Sequence, residues 1–453
     1  LYKDKKLKKP CNVVVVGGGT AGLEAACTAA EVGCATVLIE KSGELGGLAR
    51  RVGKMPNKQR LGYFPQYLER RAMKLKNLFI CKNTEASIEF IEGFKPDIVV
   101  NATGSVPLLP NIPGLKENLE AGNVSTIFDL VDHVDSYPED LSGKKVVVIG
   151  GGNVAIDVAR TSTRVGDYNV SMFCLEDRAN MPASEEEIEE AVEEGVKLDC
   201  GWGPKEILTE NGKVTGIVLK RCTSVKDADG RFNPQYDEND TKTVKCSHVF
   251  LSIGQTTIWG DLLKGTKVEI DGVRVKADKL TYQTTDPDVF IGGDVYTGPR
   301  FAIDAIAAGK EAAISIHRYV QPHSSLTIGR NRRDFIELDK NNIKVESYDN
   351  SSRQIPGTDN SFDHKKSFRD AKLTFTEEQV KAETARCLGC GASVVDPNKC
   401  IGCGICTTKC EFDAIHLNRD LPECSTMRKS EDKLKYILPY GAKQAIKIKF
   451  KKK

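Results

Sequence analysis

The stretch Asn12-Val13-Val14-Val15-Val16-Gly17-Gly18-Gly19-Thr20-Ala21-Gly22-Leu23-Glu24-Ala25-Ala26 decides the fold. A β-branched apolar run ends in three glycines, and an alanine-rich helical pattern follows. Such a strand–turn–helix sets a dinucleotide pyrophosphate on a helix N-terminus, where unpaired amides and the helix dipole meet its charge. In the G-x-G-x-x-G spacing Gly17 serves the tight turn and Gly19 the approach of backbone to phosphate. Gly22 lets the helix pack on the strand, and Thr20 and Ala21 lie between them. The next apolar run, Thr36-Val37-Leu38-Ile39, ends at Glu40-Lys41 and so puts an acceptor where a ribose hydroxyl needs one. The competing reading, a glycine-rich hairpin in a core, leaves Glu40 unexplained.

At 453 residues the chain has room for two or three domains, and 40% apolar with 28% charged residues is ordinary globular composition. A formal charge of +2 carries no global nucleic-acid or membrane signature. No apolar run reaches the length of a membrane span, and the lysine-rich opening is not a signal h-region. The missing initial Met reads as a trimmed start. The basic stretches Lys3 to Lys9 and Lys447 to Lys453 read as solvated tails. Six of the fifteen cysteines fall between Cys387 and Cys410. Such clustering points to metal ligation rather than a disulfide framework, and to a reducing, cytoplasmic compartment.

The opening logic returns at Val146-Val147-Val148-Ile149. There Gly150-Gly151-Gly152-Asn153-Val154-Ala155 is a second fingerprint with alanine in third place, followed by a helix through Asp157 and Arg160. Two fingerprints mean two dinucleotides, or one dinucleotide on a duplicated scaffold; two sites is the expectation. The strand leading to Ala102-Thr103-Gly104 is mirrored by the one leading to Gly254, which supports duplication. Asp288 to Asp294 is a strand ending in Gly293-Asp294, and Phe301-Ala302-Ile303 opens a small-residue helix. The loop around Gly47-Leu48 again lets backbone approach a ligand. Ser184 to Glu187 reads as a capping box. The fold class is α/β: a second Rossmann-like unit inserted in the first, with a small ferredoxin-like segment. The expected layout is 1–125 and 281–321 for the first unit, 126–280 for the second, and 322–375 as a surface connection. Residues 376–424 are the cysteine segment and 425–453 a basic tail.

Cys387-Leu388-Gly389-Cys390 precedes Cys400-Ile401-Gly402-Cys403-Gly404-Ile405-Cys406-Thr407-Thr408-Lys409-Cys410. The spacing C-x2-C-x2-C-x3-C is the bacterial ferredoxin run, whose fourth cysteine normally serves a different cluster. Gly402 and Gly404 free backbone amides to point at sulfur. Structural zinc, which needs four ligands and suits C-x2-C pairs, is the competing reading. Six cysteines are too many for one [4Fe–4S] cluster and two short of two. Ser393 occupies the next ligand position after Cys390. One cluster on Cys400, Cys403, Cys406 and either Cys387 or Cys390 is the base case. A second would need ligands such as Cys424 or a non-cysteine group.

The double fingerprint, the Ala102-Thr103-Gly104 turn, Gly293-Asp294 and Met181-Pro182-Ala183 resemble the flavoprotein reductase superfamily. The likeness is to the glutamate synthase small-subunit type, including the large subunit of NADH-dependent ferredoxin:NADP oxidoreductase, over roughly residues 11–320. Met55 to Asn83 is also similar to the flavin domain of 2,4-dienoyl-CoA reductases of the old-yellow-enzyme kind. The resemblance implies an NAD(P)H:acceptor flavoprotein oxidoreductase, with FAD in the first site and a nicotinamide nucleotide in the second. It also implies partner redox subunits in a transhydrogenase or electron-bifurcating complex, with ferredoxin as a candidate acceptor. Two features depart from the family. The cysteine run follows the nucleotide units instead of preceding them, and Leu175-Glu176 stands where the family often has an arginine pair that reads the 2′-phosphate of NADP.

The implied chemistry is hydride transfer between nicotinamide and flavin, with electrons leaving singly through the cluster. No general base is required. No C-x4-C or C-x2-C lies beside the flavin segments, so a disulfide-reductase mechanism is not expected; Cys27 and Cys34 read as packing residues. Asp294 is expected to accept a hydrogen bond from the ribityl chain. The backbone at Phe301 to Ile303 is expected to face negative charge on the reduced ring. Glu176 would accept from a ribose and repel a 2′-phosphate, whereas Arg178 could meet one; a plain Glu176–Arg178 surface pair is the alternative. Other functional readings are a reductase subunit for a glutamate synthase or ene-reductase partner, and a non-catalytic relay with a vestigial second site. The intact Gly150, Gly152 and Ala155 favour catalysis. Neither nucleic acid nor membrane is expected as a partner.

Overall fold

A computed structural model of the chain describes residues 7, 10–134, 145–166, 169–321, 324–328, 330, 351–387, 400–409, 415–417 and 430–451. It divides into two compact bodies, residues 1–344 with 354–380, which hold both Rossmann-like units, and residues 345–353 with 381–453.

Val13 to Val16 form the middle of β1 (Asn12–Val16), each at most 4% exposed. A central parallel strand is covered on both faces, so it reads as a continuous apolar run rather than an alternation. Around it lie β2 (Ala35–Ile39), β3 (Leu78–Cys81), β4 (Ile98–Asn101) and β17 (Val289–Ile291). The order is β17-β4-β1-β2-β3, all parallel. Helix α1 (Thr20–Glu31) is buried along almost its whole length. Its alanines let the long helix Ala302–Tyr319 come close: a Cβ on Gly309 would overlap the Ala21 carbonyl.

The second sheet repeats the first, in the order β6-β13-β7-β8-β9. Its strands are β6 (Val124–Thr126), β7 (Lys145–Ile149), β8 (Asn169–Cys174), β9 (Lys197–Cys200) and β13 (His248–Leu251), again all parallel. The place that β17 holds in the first sheet is taken here by a strand that precedes its fingerprint. One face is covered by the antiparallel sheet β10 (Trp202–Glu210), β11 (Lys213–Lys226) and β12 (Phe232–Lys245), through Ile207, Val214, Ile217 and Leu219. The other face is covered by helices Ile127–Asp132, Asn153–Gly166 and Glu185–Glu193.

The chain crosses between the sheets at β5 (Val106–Pro107) and β14 (Gln255–Thr256), which pair antiparallel. The crossings therefore come earlier than the expected 126 and 281. Strand β6 already belongs to the second sheet, and Val275 packs with Ile291 and Val295 of the first unit. The short pair β15 (Ile270–Asp271) and β16 (Arg274–Val275) lies in this return stretch.

Numbered in chain order, the helices used below are α1, α2 (Gly47–Val52), α3 (Ile127–Asp132), α4 (Asn153–Gly166), α5 (Glu185–Glu193) and α6 (Ala302–Tyr319), followed by α7 (Glu377–Ala385), α8 (Ile405–Lys409) and α9 (Lys433–Lys451). The described part of the expected surface connection is fastened down: Arg164 donates to the Ser367 carbonyl at 3.0 Å, and Phe368 packs against the second unit's core. The expected tail contains α9, in which Leu434, Ile437, Leu438, Ile446 and Phe450 are exposed and whose interior holds Pro439. Among the described residues no helix is long and apolar enough to cross a membrane.

Candidate functional site: two glycine cradles and a cysteine run

In the first cradle two glycines are demanded by the protein itself. A Cβ on Gly17, at φ +103°, would overlap the Ala102 carbonyl at the end of β4, and one on Gly22 would overlap the Gly17 carbonyl. Gly19 differs. Its φ of −69° suits any residue, and nothing lies within 4 Å of its Cβ position. It caps α1 without a side-chain hydrogen bond, so the first-turn amides have no side chain over them. The packing of the protein leaves this glycine unexplained.

The remaining first-site residues gather at the carboxyl ends of the same strands. Glu40, 9% exposed, accepts from the Gly18 amide at 2.6 Å and the Ser42 amide at 2.8 Å. A carboxylate has about four acceptor positions, so a ribose hydroxyl can still be met. Lys41 is exposed. Gly46 donates to the Gly18 carbonyl at 2.8 Å, and a Cβ on Gly47 would lie 3.0 Å from the Gly19 Cα, which places the loop before Leu48 on the glycine turn. Thr103 and Gly104 follow Ala102, and Gly104 has φ +74°. Asn101 Oδ1 is buried with no hydrogen-bond partner among the described residues. A Cβ on Gly293 would lie 2.9 Å from that of Ala21, beside Thr20. Burial, reinforced by the Asp304 carboxylate and opposed by the Arg300 amide, pushes the Asp294 carboxyl up to about 6. Phe301 and Ile303, flanking Ala302 at the start of α6, are left 74% and 68% exposed.

The second cradle follows the same construction. A Cβ on Gly150, at φ +147°, would overlap the Ser252 carbonyl, whereas the Cβ position of Gly152 is open to 4 Å. Ala155, in third place, is fully buried, and Val154 is 37% exposed. Asn153 Oδ1 accepts from the Ser184 amide at 2.9 Å. Its side chain thus anchors the loop after β8. The expected capping box is not formed, because Ser184 makes no side-chain cap bond although α5 starts there. Ser252 Oγ is buried with no partner among the described residues, and Gly254, at φ +118°, has open space at its Cβ position.

The two cradles differ at the ribose end. Gly17 donates to the Ile39 carbonyl and Gly150 to that of Phe173, both at 2.8 Å, so Cys174 corresponds to Glu40. Glu176 lies two residues further on, and its Oε2 reaches within 2.7 Å of where a Gly151 Cβ would be. Arg178 does not pair with it: its guanidinium binds Glu185 through two hydrogen bonds, one of 3.0 Å.

Of the cysteine run, Cys387, Cys400, Cys403 and Cys406 are exposed, while Cys390, Cys410 and Cys424 lie outside the described residues. Among the described residues no three His, Cys, Asp or Glu side chains converge. Gly402 and Gly404 adopt φ +68° and +76°, the left-handed turns a loop wrapping its amides around sulfur requires. Cys27 and Cys34 lie in the first unit's core, where burial pushes the Cys27 thiol up to about 12. They pack, as read from the sequence.

Sequence comparison decides the family. The model of the pyridine nucleotide-disulphide oxidoreductases matches residues 74–309, just over half of the chain. The chain belongs to that family. A model of FAD dependent oxidoreductases matches residues 12–67, and one of 4Fe-4S binding domains residues 393–416. This family member is 29% identical over 396 residues to the NADP(+)-dependent formate dehydrogenase subunit beta of Moorella thermoacetica, with 83% of the chain aligned to 54% of that subunit. The chain thus spans about half that relative's length. It is 30% identical over 323 residues to a putative glutamate synthase [NADPH] small chain of Cereibacter sphaeroides, covering 77% of it with 68% of the chain. The T. acidophilum thioredoxin reductase structure shares the fold over 68% of the chain and 98% of its own, with a TM-score of 0.53 and 21% identity.

The family member is an oxidoreductase that uses FAD, NAD(P)(H) and an iron–sulfur cluster. Sequence reading missed Asn101 and Ser252, whose buried oxygens have no partner among the described residues. Nothing in a single sequence marks a polar atom that the fold buries in this way.

Proposed function

We propose that the first cradle holds FAD through Gly17, Gly19, Gly22, Glu40 and Asp294, and that the second holds NAD(P)(H) through Gly150, Gly152, Ala155 and Glu176. On this reading the chain is the NAD(P)H-oxidising flavoprotein subunit of a multi-subunit redox complex, of the transhydrogenase or electron-bifurcating kind. Cys400, Cys403 and Cys406, with Cys387 or Cys390, hold the cluster. Bound flavin and nicotinamide supply two-electron hydride chemistry, and the cluster supplies one-electron transfer onward. The residues supply everything else. Glycine backbones approach the pyrophosphates, Glu40 and Glu176 hold ribose hydroxyls, and Asp294 orients the ribityl chain.

The observation that carries this is the repeated open position: Gly19 and Gly152 alone in their fingerprints have no protein neighbour that explains a missing side chain. Anoxic titration of the purified chain with NADH and NADPH tests it. Bleaching of bound flavin followed by reduction of an iron chromophore is expected. Flavin that neither nucleotide bleaches would leave only a relay role.

A further inference from the structure

One loop joins the two cradles. It leaves the first at Gly46 and Gly47, against Gly18 and Gly19. It runs through α2, where Arg51 lies over the Phe128 ring at 4.5 Å and pairs with Asp132 of α3. It then sets Met55, 1% exposed, into the second unit's core, and Gln59 donates to the Phe368 carbonyl at 2.7 Å. Between these anchors Lys58 Nζ lies 3.2 Å from Asp157 Oδ1 and 2.8 Å from Glu187 Oε1. Asp157 is four residues beyond Asn153, so Lys58 holds α4 about one turn behind the start of the second fingerprint helix.

The charges around this point are otherwise matched within the second unit and by the segment near Lys372. Arg160 binds Glu187, Glu190 and Glu194, Arg164 binds Glu194, and Lys372 binds Glu186 and Glu190. Among the described residues Asp157 has one ion pair, and its cation comes from the first unit. Among the described residues between Asn12 and Tyr319 the main chain passes from sheet to sheet at β5 and β14, a narrow two-strand connection. Such a connection sets the distance between the units but constrains their rotation weakly; the loop supplies the second attachment that fixes it.

We propose that Lys58 is a positioning residue for hydride transfer: gripped by Asp157 and Glu187, it fixes the second fingerprint helix against the loop that carries the first cradle. This rests on the functional reading above. It differs from a plain surface ion pair because the groups are enclosed. Burial alone would push the Asp157 carboxyl up, and it stands at about 6 with Lys58 opposing that rise. A lysine removed from this place leaves a carboxyl that must take up a proton or turn outward.

The test is Lys58→Met in the flavin-loaded full chain, with Lys58→Arg as the conservative variant. Flavin content and nucleotide dissociation constant should stay within about twofold, since neither cradle is touched. The rate of flavin reduction in a rapid-mixing experiment should fall at least about tenfold, and Lys58→Arg should recover most of it. Hydrogen exchange should rise in two places at once, residues 53–62 and the first turns of α4. In the wild type the reduction rate should decline below about pH 6 as Asp157 takes up a proton, and Lys58→Met should lack that limb. Asp157→Asn, which keeps the shape, should reproduce the kinetic loss if Lys58→Met does not fold. Unchanged reduction by Lys58→Met, or exchange rising in the loop alone, overturns the proposal while the functional reading stands. A wild type that neither NADH nor NADPH reduces overturns both.

Discussion

Cys174 occupies in the second sheet the register position that Glu40 occupies in the first. The ladder makes the match, since Gly17 donates to Ile39, just before Glu40, and Gly150 to Phe173, just before Cys174. The first site therefore has a carboxylate at the strand end, bonded to its own glycine turn, and the second has a buried thiol there. In the second site the carboxylate beside the glycine turn is that of Glu176, which lies over Gly151.

The nucleotide preference follows. Arg178 is engaged by Glu185, so the cation the sequence offered for a 2′-phosphate is already spoken for. A phosphate beside Glu176 meets a like charge, worth ~1–3 kcal/mol in a partly solvated site, or roughly ten- to a hundredfold in affinity. NADH should reduce the flavin at a lower half-saturating concentration than NADPH. Glu176→Ala should narrow that gap, and Arg178→Ala should leave it unchanged. Titration with both nucleotides checks this; loss of NADPH reduction in Arg178→Ala would show that the Glu185 pair yields to the phosphate.

The two kinds of glycine in the first fingerprint should fail differently. Gly17→Ala forces a side chain onto the Ala102 carbonyl at a left-handed φ, so it should lower the thermal midpoint whether or not flavin is bound. Gly19→Val places its Cβ where no protein atom lies within 4 Å, so the apoprotein should keep its midpoint within about a degree or two while flavin content collapses. Comparing apo and reconstituted protein by thermal unfolding separates them. Flavin retained in Gly19→Val would refute the cradle.

Replacing Cys403 by Ser should remove most of the iron and leave flavin content unchanged, because the two nucleotide sheets close without any residue beyond 380. Iron, sulfide and flavin assays after anoxic purification read this directly. Zinc without iron in the wild type would be the contrary outcome.

Both sheets were legible in the sequence because a doubly covered parallel strand leaves an unbroken apolar signature, seen in Val13 to Val16 and Val146 to Ile149. The crossing points were not. Val106-Pro107 and Gln255-Thr256 are two-residue strands with no periodicity to detect, and β6 is three residues long. The glycines of the cradles were legible as residue types. Their different settings were not, since Gly17 answers to the carbonyl of Ala102 just after β4, 85 positions later in the chain, while Gly19 has no protein atom within 4 Å of its Cβ position. Glu176 was singled out by its place after the second strand, but its register against Glu40 needed the ladder.

Asp294 makes the stability of the apoprotein depend on pH. Burial raises its carboxyl from the ordinary value of about 4 to about 6 in the folded chain without flavin. The folded state therefore binds this proton more tightly than the unfolded state. Below about pH 4 both states hold the proton and the group costs nothing. Between about pH 4 and 6 the unfolded chain releases it first, so stability falls as pH rises. Above about pH 6 the full cost remains, on the order of 2–3 kcal/mol. Asp294→Asn removes the charge and keeps the shape. Apoprotein carrying it should unfold at a higher temperature than wild type at pH 8 and at nearly the same temperature at pH 4.5. Flavin should reverse the order, because hydroxyl donors from a ribityl chain stabilise the carboxylate and return its proton affinity toward normal. The wild type should thus gain more from FAD than the variant does at pH 8. Thermal unfolding of both proteins, with and without FAD at the two pH values, decides it. A variant less stable than wild type as apoprotein at pH 8 would show that the carboxylate has a partner inside the fold that outweighs its burial.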